Sequence, residues 1–181
     1  FQMDHDLGSI APGKCADMVF LEDLKDFKVT RVLVDGDIVA EDGIFLGELP
    51  PYDYPAWAKD TMHVAGEITE VSFRIPAQGE RGAVRVIEVI PARVGSYERH
   101  LTLPVREGAV CADPGQDVLK AVVFERHHGT GKKGVGFVKG FGIQGGAMAS
   151  TVAHDAHNLL VVGVNDRDMA LAANTLVSCG G

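Results

Sequence analysis

Short apolar runs, each followed closely by turn residues, constrain this chain more than any other feature of its sequence. Residues 84–90 and 118–125 form two such runs, and the pair Asp35-Gly36 stands between two others. Runs of this length between turn residues are typical of β-strands, and Asp-Gly is a strong hairpin signal. The sequence therefore predicts an α+β fold that is rich in sheet and has few helices.

One segment near the C-terminus predicts a helix. Asn165 can cap its first turn, and Asp168 places a negative charge near the positive end of the helix dipole. Gly180 can end the helix in a left-handed conformation. The apolar residues between these ends recur with helical spacing and form one face: Met169, Ala172, Ala173, Leu176 and Val177.

The pattern divides the chain into three expected segments. Residues 1–48 carry short strands and turns, but a single hairpin is not stable alone, so we expect this segment to need strands from elsewhere. Residues 49–66 contain three prolines and predict a linker. Residues 67–181 predict a second sheet-rich domain, with strands near 68–73, 84–90, 101–105, 118–125, 147–152 and 159–164. The chain does not begin with methionine, so we expect it to be part of a longer protein. Separately, we expect its last domain to be incomplete.

Charge and cysteine content disfavour several classes of function. The net charge is −8, and residues 1–60 hold 13 Asp/Glu against 5 Lys/Arg. An acidic surface repels phosphate backbones, so we expect no nucleic-acid partner. No apolar run is long enough for a membrane span, so we expect no membrane association. The three cysteines are widely spaced and form no CxxC pair, which favours a reducing, cytoplasmic location.

Residues 129–146 contain eight glycines. Such a segment is a poor helix and a poor regular strand, so we expect sharply bent backbone there. Gly129, Gly131 and Gly134 fit GxGxxG, but a dinucleotide site also needs a helix that begins at the third glycine. The glycines that follow do not favour a helix, and neither Lys132 nor Lys133 completes a phosphate-binding GK[ST] motif. We therefore do not expect a nucleotide-phosphate site in this segment.

Four of the seven histidines fall in two short groups, each at the end of an apolar run. Neutral imidazole can relay protons, bind a metal or hydrogen-bond a purine edge, and a neighbouring carboxylate can orient it. The alternative is a set of histidines that only pack a loop-rich sheet edge. The spacing gives no HExxH motif, so we expect no metal site within this chain. The candidate catalytic residues are His127, His128, His154, Asp155 and His157.

Two segments near the N-terminus carry a resemblance to a known superfamily. Residues 7–19, LGSIAPGKCADMV, resemble the sequence that closes the barrel of amidohydrolases, and residues 32–39, VLVDGDIV, resemble the hairpin that follows it. In that superfamily the chain re-enters a small β-sandwich at this point. The resemblance implies that residues 1–48 are the end of a barrel and part of a composite sandwich.

Three later segments resemble a narrower family, the C-terminal domain of the bacterial adenine deaminases. They are residues 125–131, ERHHGTG; residues 136–142, GFVKGFG; and residues 150–158, STVAHDAHN, with a further likeness at 165–170. The resemblance implies hydrolysis of adenine to hypoxanthine and ammonia. It also implies Glu125, Ser150 and Asn158 as candidates for substrate binding.

The chemistry implied by this family depends on a divalent metal, either manganese or iron, with zinc as a further option. The metal lowers the pKa of a bound water, and a carboxylate carries a proton to the departing ammonia. The family holds its metal on barrel strands with an HxH motif, and this sequence contains no HxH. We therefore expect the chain to be inactive alone, with adenine, the missing barrel domain and a second copy of the enzyme as its partners.

Two alternatives remain at the level of sequence. The chain could be a non-catalytic binding or assembly module derived from an amidohydrolase. It could also belong to an amidohydrolase that acts on another cyclic amide or amidine, because the segments at residues 7–39 do not specify a substrate.

Overall fold

The computed structural model describes residues 2–181, which form two compact units: one extends to Asp53 and the other spans Tyr54–Gly181. The division falls inside the segment expected to be a linker. The predicted boundaries at residues 48 and 66 stay predictions about the organisation of a longer protein.

The first unit contains a four-stranded antiparallel sheet in the order β1-β2-β3-β4. The strands are β1 (Met18–Leu21), β2 (Val29–Val34), β3 (Asp37–Glu41) and β4 (Ile44–Phe45). Asp35 and Gly36 both have positive φ, 51° and 90°, so the hairpin predicted at this pair is confirmed. None of residues 2–53 is buried within this chain.

The second unit contains a seven-stranded mixed sheet in the order β10-β11-β8-β9-β5-β6-β7. All its neighbours are antiparallel except β5 and β9, which run parallel. The strands are β5 (Arg81–Val89), β6 (Ser96–Arg106), β7 (Ala109–Val110), β8 (Val118–Phe124), β9 (Lys133–Lys139), β10 (Ala147–Ser150) and β11 (Leu159–Gly163).

Few helices accompany these strands, as predicted. The longer is α2 (Asp166–Cys179), where the Asn165 side chain accepts a hydrogen bond from the backbone N–H of Asp168 and Gly180 has φ 88°. Both predicted ends of this helix are therefore confirmed. The shorter is α1 (Ala56–Lys59), and two 3₁₀ turns lie at Glu70–Phe73 and Pro114–Gln116. No helix among the described residues is long and apolar enough to cross a membrane.

Two hydrophobic clusters hold the second unit together. One joins α2 to the sheet through Met169 and Ala173, both fully buried, and includes Phe73 and Phe124, whose rings meet edge to face at 5.4 Å. Full burial of a Met or Phe side chain contributes roughly 1.5–3 kcal/mol. The other cluster packs around the β5, β6, β8 and β9 strands: Val86, Leu103, Val110, Val118 and Phe137.

The prediction of a strand near residues 68–73 was wrong, because Glu70–Phe73 forms a 3₁₀ turn. Thr69 and Ser72 bond each other reciprocally: the Thr69 backbone N–H donates to Ser72 Oγ at 3.2 Å, and the Ser72 N–H donates to the Thr69 carbonyl at 2.9 Å. Side chains that bond nearby backbone compete with strand ladders. The turn still buries Phe73, one of the three apolar residues, with Ile68 and Val71, that suggested a strand.

The glycine-rich segment also departs from its expectation, since Lys133–Lys139 forms the regular strand β9. This strand pairs with β8 on one side and with β5 on the other. Gly134 and Gly136 face Val123 and Ala121 across the ladder with β8. The β8 ladder covers the whole of β9, including both glycines, and β5 adds a second ladder at residues 137–139. These pairings override the weak strand preference of glycine, which the pattern of one strand does not reveal.

Candidate functional site

The two histidine segments lie side by side at one end of the seven-stranded sheet. Strand β8 ends at Phe124, strand β11 begins at Leu159, and these two residues are antiparallel partners. Residues 125–131 leave the sheet where residues 151–158 enter it. Antiparallel pairing therefore brings together two groups that are about 30 positions apart in the sequence.

Arg126 is the main link between the two segments. Its Nε donates to the carbonyl oxygen of His157 at 2.6 Å, and its backbone N–H donates to Asn158 Oδ1 at 3.4 Å. Its Nη1 donates to the carbonyl oxygen of Thr61, and its own carbonyl accepts from the backbone N–H of His63 at 2.8 Å. The segment at residues 61–63 is thereby fixed against the same loops. Sequence reasoning assigned no role to Arg126, although it stands between two residues that were candidates.

The candidate histidines form two pairs of neighbouring rings. His127 and His128 have ring centroids 6.4 Å apart, and His154 and His157 have centroids 5.8 Å apart. His127 Nε2 lies 2.8 Å from the carbonyl oxygen of Ala156, which connects one segment to the other. His154 Nδ1 contacts the carboxylate of Asp155, the residue that the sequence offers as an orienting partner, and this role stays a prediction.

All these imidazoles are accessible from outside the chain. The side chains of His154 and Asp155 are 82% and 92% exposed, and His127, His128 and His157 are exposed as well. Exposed groups of this kind can meet a substrate or a second protein surface, but they are not enclosed by the chain itself. A small cavity of about 210 Å³ lies nearby and is lined by Val123, Glu125, Lys132, Lys133, Gly134 and Asn158.

Glu125 organises the loop that carries His127 and His128. Its carboxylate accepts from the backbone N–H groups of His127, His128 and Thr130 at 2.6, 2.8 and 3.0 Å, and from Thr130 Oγ1 at 2.8 Å. The hydrogen bonds from the Thr130 backbone and hydroxyl, with those from His128 and His127, lower the pKa of Glu125 from 4.5 to about 2. The carboxylate is therefore ionised at neutral pH and holds the loop closed.

The remaining two candidates also make local bonds. Ser150 Oγ accepts from the backbone N–H of Val152 at 3.0 Å, which shapes the exit from β10. Asn158 Oδ1 accepts from Arg126, as described above. Neither side chain is held far from the histidine segments, so both stay candidates for binding.

The residues present do not fit a metal ion. Across residues 2–181, no three His, Cys, Asp or Glu side chains are arranged so that they could hold one. Cys15, Cys111 and Cys179 are free thiols. The chemistry that the described side chains offer at this end of the sheet is hydrogen bonding and proton transfer by imidazole.

Two family descriptions match this sequence. Residues 94–181 match the adenine deaminase C-terminal domain, and residues 1–39 match the amidohydrolase family. The first match contains both histidine segments. The second covers both N-terminal segments, residues 7–19 and 32–39, that resemble amidohydrolase sequences.

Curated relatives match the whole chain. A protein from Clostridium botulinum (strain Loch Maree) named adenine deaminase is 64% identical over 182 residues, which is 100% of this chain and 30% of the relative. Proteins of the same name from Moorella thermoacetica and Rubrobacter xylanophilus are 49% and 45% identical, again over the full chain and over 31% and 30% of their own lengths. The chain thus spans about 30% of the length of the curated relatives it matches.

Proposed function

Because this chain corresponds over its whole length to the C-terminal region of the adenine deaminases, we propose that it forms that part of an enzyme hydrolysing adenine to hypoxanthine and ammonia. The observation that carries the proposal is the 64% identity, which extends across all of this chain. The match to the adenine deaminase C-terminal domain favours adenine over another cyclic amide or amidine, since the amidohydrolase match alone names no substrate.

We propose that residues outside this chain bind the metal and the water that it activates. The described side chains do not assemble a metal site. Manganese or iron, and otherwise zinc, is the ion proposed for the barrel of the whole enzyme. We propose that this enzyme works in the cytoplasm as a homo-oligomer.

The histidine segments would act at the mouth of that barrel or at a neighbouring subunit. His127, His128, His154 and His157 are exposed and held on loops that Glu125 and Arg126 fix in place. Imidazoles in such a position can close the pocket, hydrogen-bond the purine or support metal ligands. Asp155, in contact with His154, would orient that ring.

The exposed side chains of the first unit favour a binding partner outside this chain. Its sheet carries large apolar side chains that are about half exposed, such as Val19 at 58%, Phe20 at 47% and Ile44 at 65%. None of residues 2–53 is buried. Four strands with no buried residue lack the burial that stabilises independent sheets, so we propose that strands of the barrel-bearing part of the enzyme complete a β-sandwich here.

The role of the histidines is tested with His154→Ala in the full-length enzyme. We expect a lower kcat or a higher KM for adenine, without a change in melting temperature, because the side chain is exposed and makes no packing contact in the core. His100→Ala is the matched control: His100 is also exposed and contacts one carboxylate, that of Glu98, at 2.9 Å. Unchanged turnover and unchanged adenine affinity in His154→Ala would retire the proposed role.

The division of labour is tested separately with the 181-residue chain. We expect it to release no ammonia from adenine with any divalent metal, since the metal site lies elsewhere. Substantial turnover by the purified chain, free of contaminating deaminase, would contradict this division. If the full-length protein also failed to deaminate adenine, the non-catalytic module would become the better interpretation.

A further inference from the structure

A cleft of about 710 Å³ opens in the second unit where five basic side chains converge. They come from separate parts of the chain: the residue after the first 3₁₀ turn, the start of β5, the end of β6, the middle of β8 and the first turn of α2. These side chains are Arg74, Arg81, Arg106, Lys120 and Arg167. The cleft does not include any of the histidine candidates.

The four arginines of this cleft keep most of their donors available. Arg74 donates to the carbonyl oxygen of Glu107, and Arg81 Nη2 donates to the carbonyl oxygen of Thr102 at 2.8 Å. Each bond uses one of the five N–H groups of a guanidinium. Within residues 2–181, none of the four arginines forms an ion pair with a carboxylate of this chain, in contrast to Arg31 and Arg99.

Four carboxylates also line the cleft, and two of them already have partners. Asp166 is paired with Lys120, whose side chain is only 5% exposed, and Asp113 Oδ2 accepts from the Gln116 side chain at 2.7 Å. The other two are Glu70 and Glu107. The amide of Gln116 is neutral and leaves the charge of Asp113 in place. Outside the Lys120–Asp166 pair, four guanidinium groups therefore face three carboxylates, and the lining of the cleft carries a net charge of +1.

The first turn of α2 adds nothing to this excess. Asn165 already accepts from the backbone N–H of Asp168, and the carboxylates of Asp166 and Asp168 lie in that turn. The capacity of the cleft for anions thus depends on the arginine side chains. Their planar forks match the oxygens of phosphate better than a lysine ammonium does.

We propose that this cleft binds a small molecule that carries a phosphate group. The volume falls in the range of cavities that hold whole small-molecule ligands, so a phosphate ester of nucleotide size fits better than the free ion. The phosphate would lie among Arg81, Arg106 and Arg167, while Glu70 and Glu107 can accept hydrogen bonds from hydroxyl or amino groups on the rest of the ligand. This site is independent of the proposed deamination.

Binding is measured by calorimetry on the full-length protein at low salt, with uridine 5′-monophosphate, inorganic phosphate and uridine as probes. A pyrimidine nucleotide avoids competition with a purine-specific site. We expect saturable binding of the nucleotide, weaker binding of phosphate and none of uridine. Arg106→Gln should weaken nucleotide binding by roughly tenfold, Arg106→Gln/Arg167→Gln should weaken it further, and added salt should reduce it because exposed guanidinium groups are screened.

Arg93→Gln is the matched control, since Arg93 is an exposed arginine in a turn of the same unit and does not line the cleft. Thermal melting of each variant checks that the fold is unchanged. Three results would overturn the proposal: no saturable binding of nucleotide or phosphate, equal binding of uridine, or equal weakening by Arg93→Gln. Nucleotide binding that persists unchanged in Arg106→Gln/Arg167→Gln would place the ligand elsewhere and would also overturn it.

Discussion

The buried ion pair between Lys120 and Asp166 gives the sharpest test of what stabilises the second unit. Lys120 lies in β8 and is 4% exposed, while Asp166 is the first residue of α2, with a side chain that is 23% exposed. The pair therefore connects the central region of the sheet to the helix that covers it. Asp166 is more accessible to water than Lys120, so replacing Asp166 and replacing Lys120 should lower the free energy of unfolding by different amounts.

Asp166→Asn leaves the lysine ammonium buried without a counter-charge. Removing one partner of a buried pair costs about 3–5 kcal/mol, and the partial exposure of Asp166 places the expected loss near 3 kcal/mol. Lys120→Met replaces the ammonium with an apolar chain of similar length. It leaves Asp166 partly solvated at a helix N-terminus, where a carboxylate is favourable. The expected loss is then only about 0–1 kcal/mol.

Urea denaturation of the single variants and of Lys120→Met/Asp166→Asn measures these free energies of unfolding. The double variant should be more stable than Asp166→Asn, because it no longer contains an uncompensated buried charge. Asp168→Asn is the matched control for loss of a first-turn charge alone, and its expected cost is about 0.3–1 kcal/mol. If Asp166→Asn lost no more stability than Asp168→Asn, or if Lys120→Met lost more than Asp166→Asn, the unpaired buried ammonium would not be the source of the destabilisation.

Three further predictions concern packing, pH and a helix contact. Gly163→Ala should lower the free energy of unfolding by about 1–3 kcal/mol in urea titrations, because the added Cβ would lie 2.6 Å from two neighbouring side-chain atoms. Gly134→Ala is the control: its added Cβ would meet nothing within 4 Å, so it should cause no such loss. The pKa of Glu125 is lowered to about 2 in the folded chain, so its stabilising contribution is complete above pH 4.5 and is lost as pH falls toward 2. The amide resonance of Thr130 should titrate in that range in wild type but not in Glu125→Gln; a midpoint near 4.5 would contradict the loop geometry. Asn174→Ala should cost about 1–3 kcal/mol in thermal or urea unfolding, since this side chain bonds both backbone groups of Ile68; no loss would show that those bonds are replaced by water.

Local patterns predicted the elements whose shape depends on neighbours in sequence. The hairpin at Asp35-Gly36 needs only two residues that tolerate positive φ, and α2 needs only a cap, a periodic apolar face and a glycine stop. Both elements form as expected. The strands at residues 84–90 and 118–125 also follow from alternation and burial, because their side chains pack within the hydrophobic clusters.

Elements that depend on residues distant in the sequence could not be predicted from local patterns. Strand β9 contains glycines that weaken any strand considered alone, and it is regular because β8 pairs with its whole length and β5 pairs with residues 137–139. The 3₁₀ turn at Glu70–Phe73 has the apolar spacing of a strand, and the reciprocal bonds of Thr69 and Ser72 decide against one.

For the candidate site, the residue types were readable from the sequence: two histidine groups, each at the end of an apolar run. That these groups meet follows from the fold, through the antiparallel pairing of β8 with β11 and the bonds of Arg126 to His157 and Asn158. The formation of the cleft between Arg74 and Arg167 depends entirely on tertiary structure, because its five basic residues are spread from position 74 to position 167. Both cases have the same cause. Local backbone preferences act within a few residues, whereas the convergence of charges and rings depends on which strands pair and which side chains the core excludes from its interior.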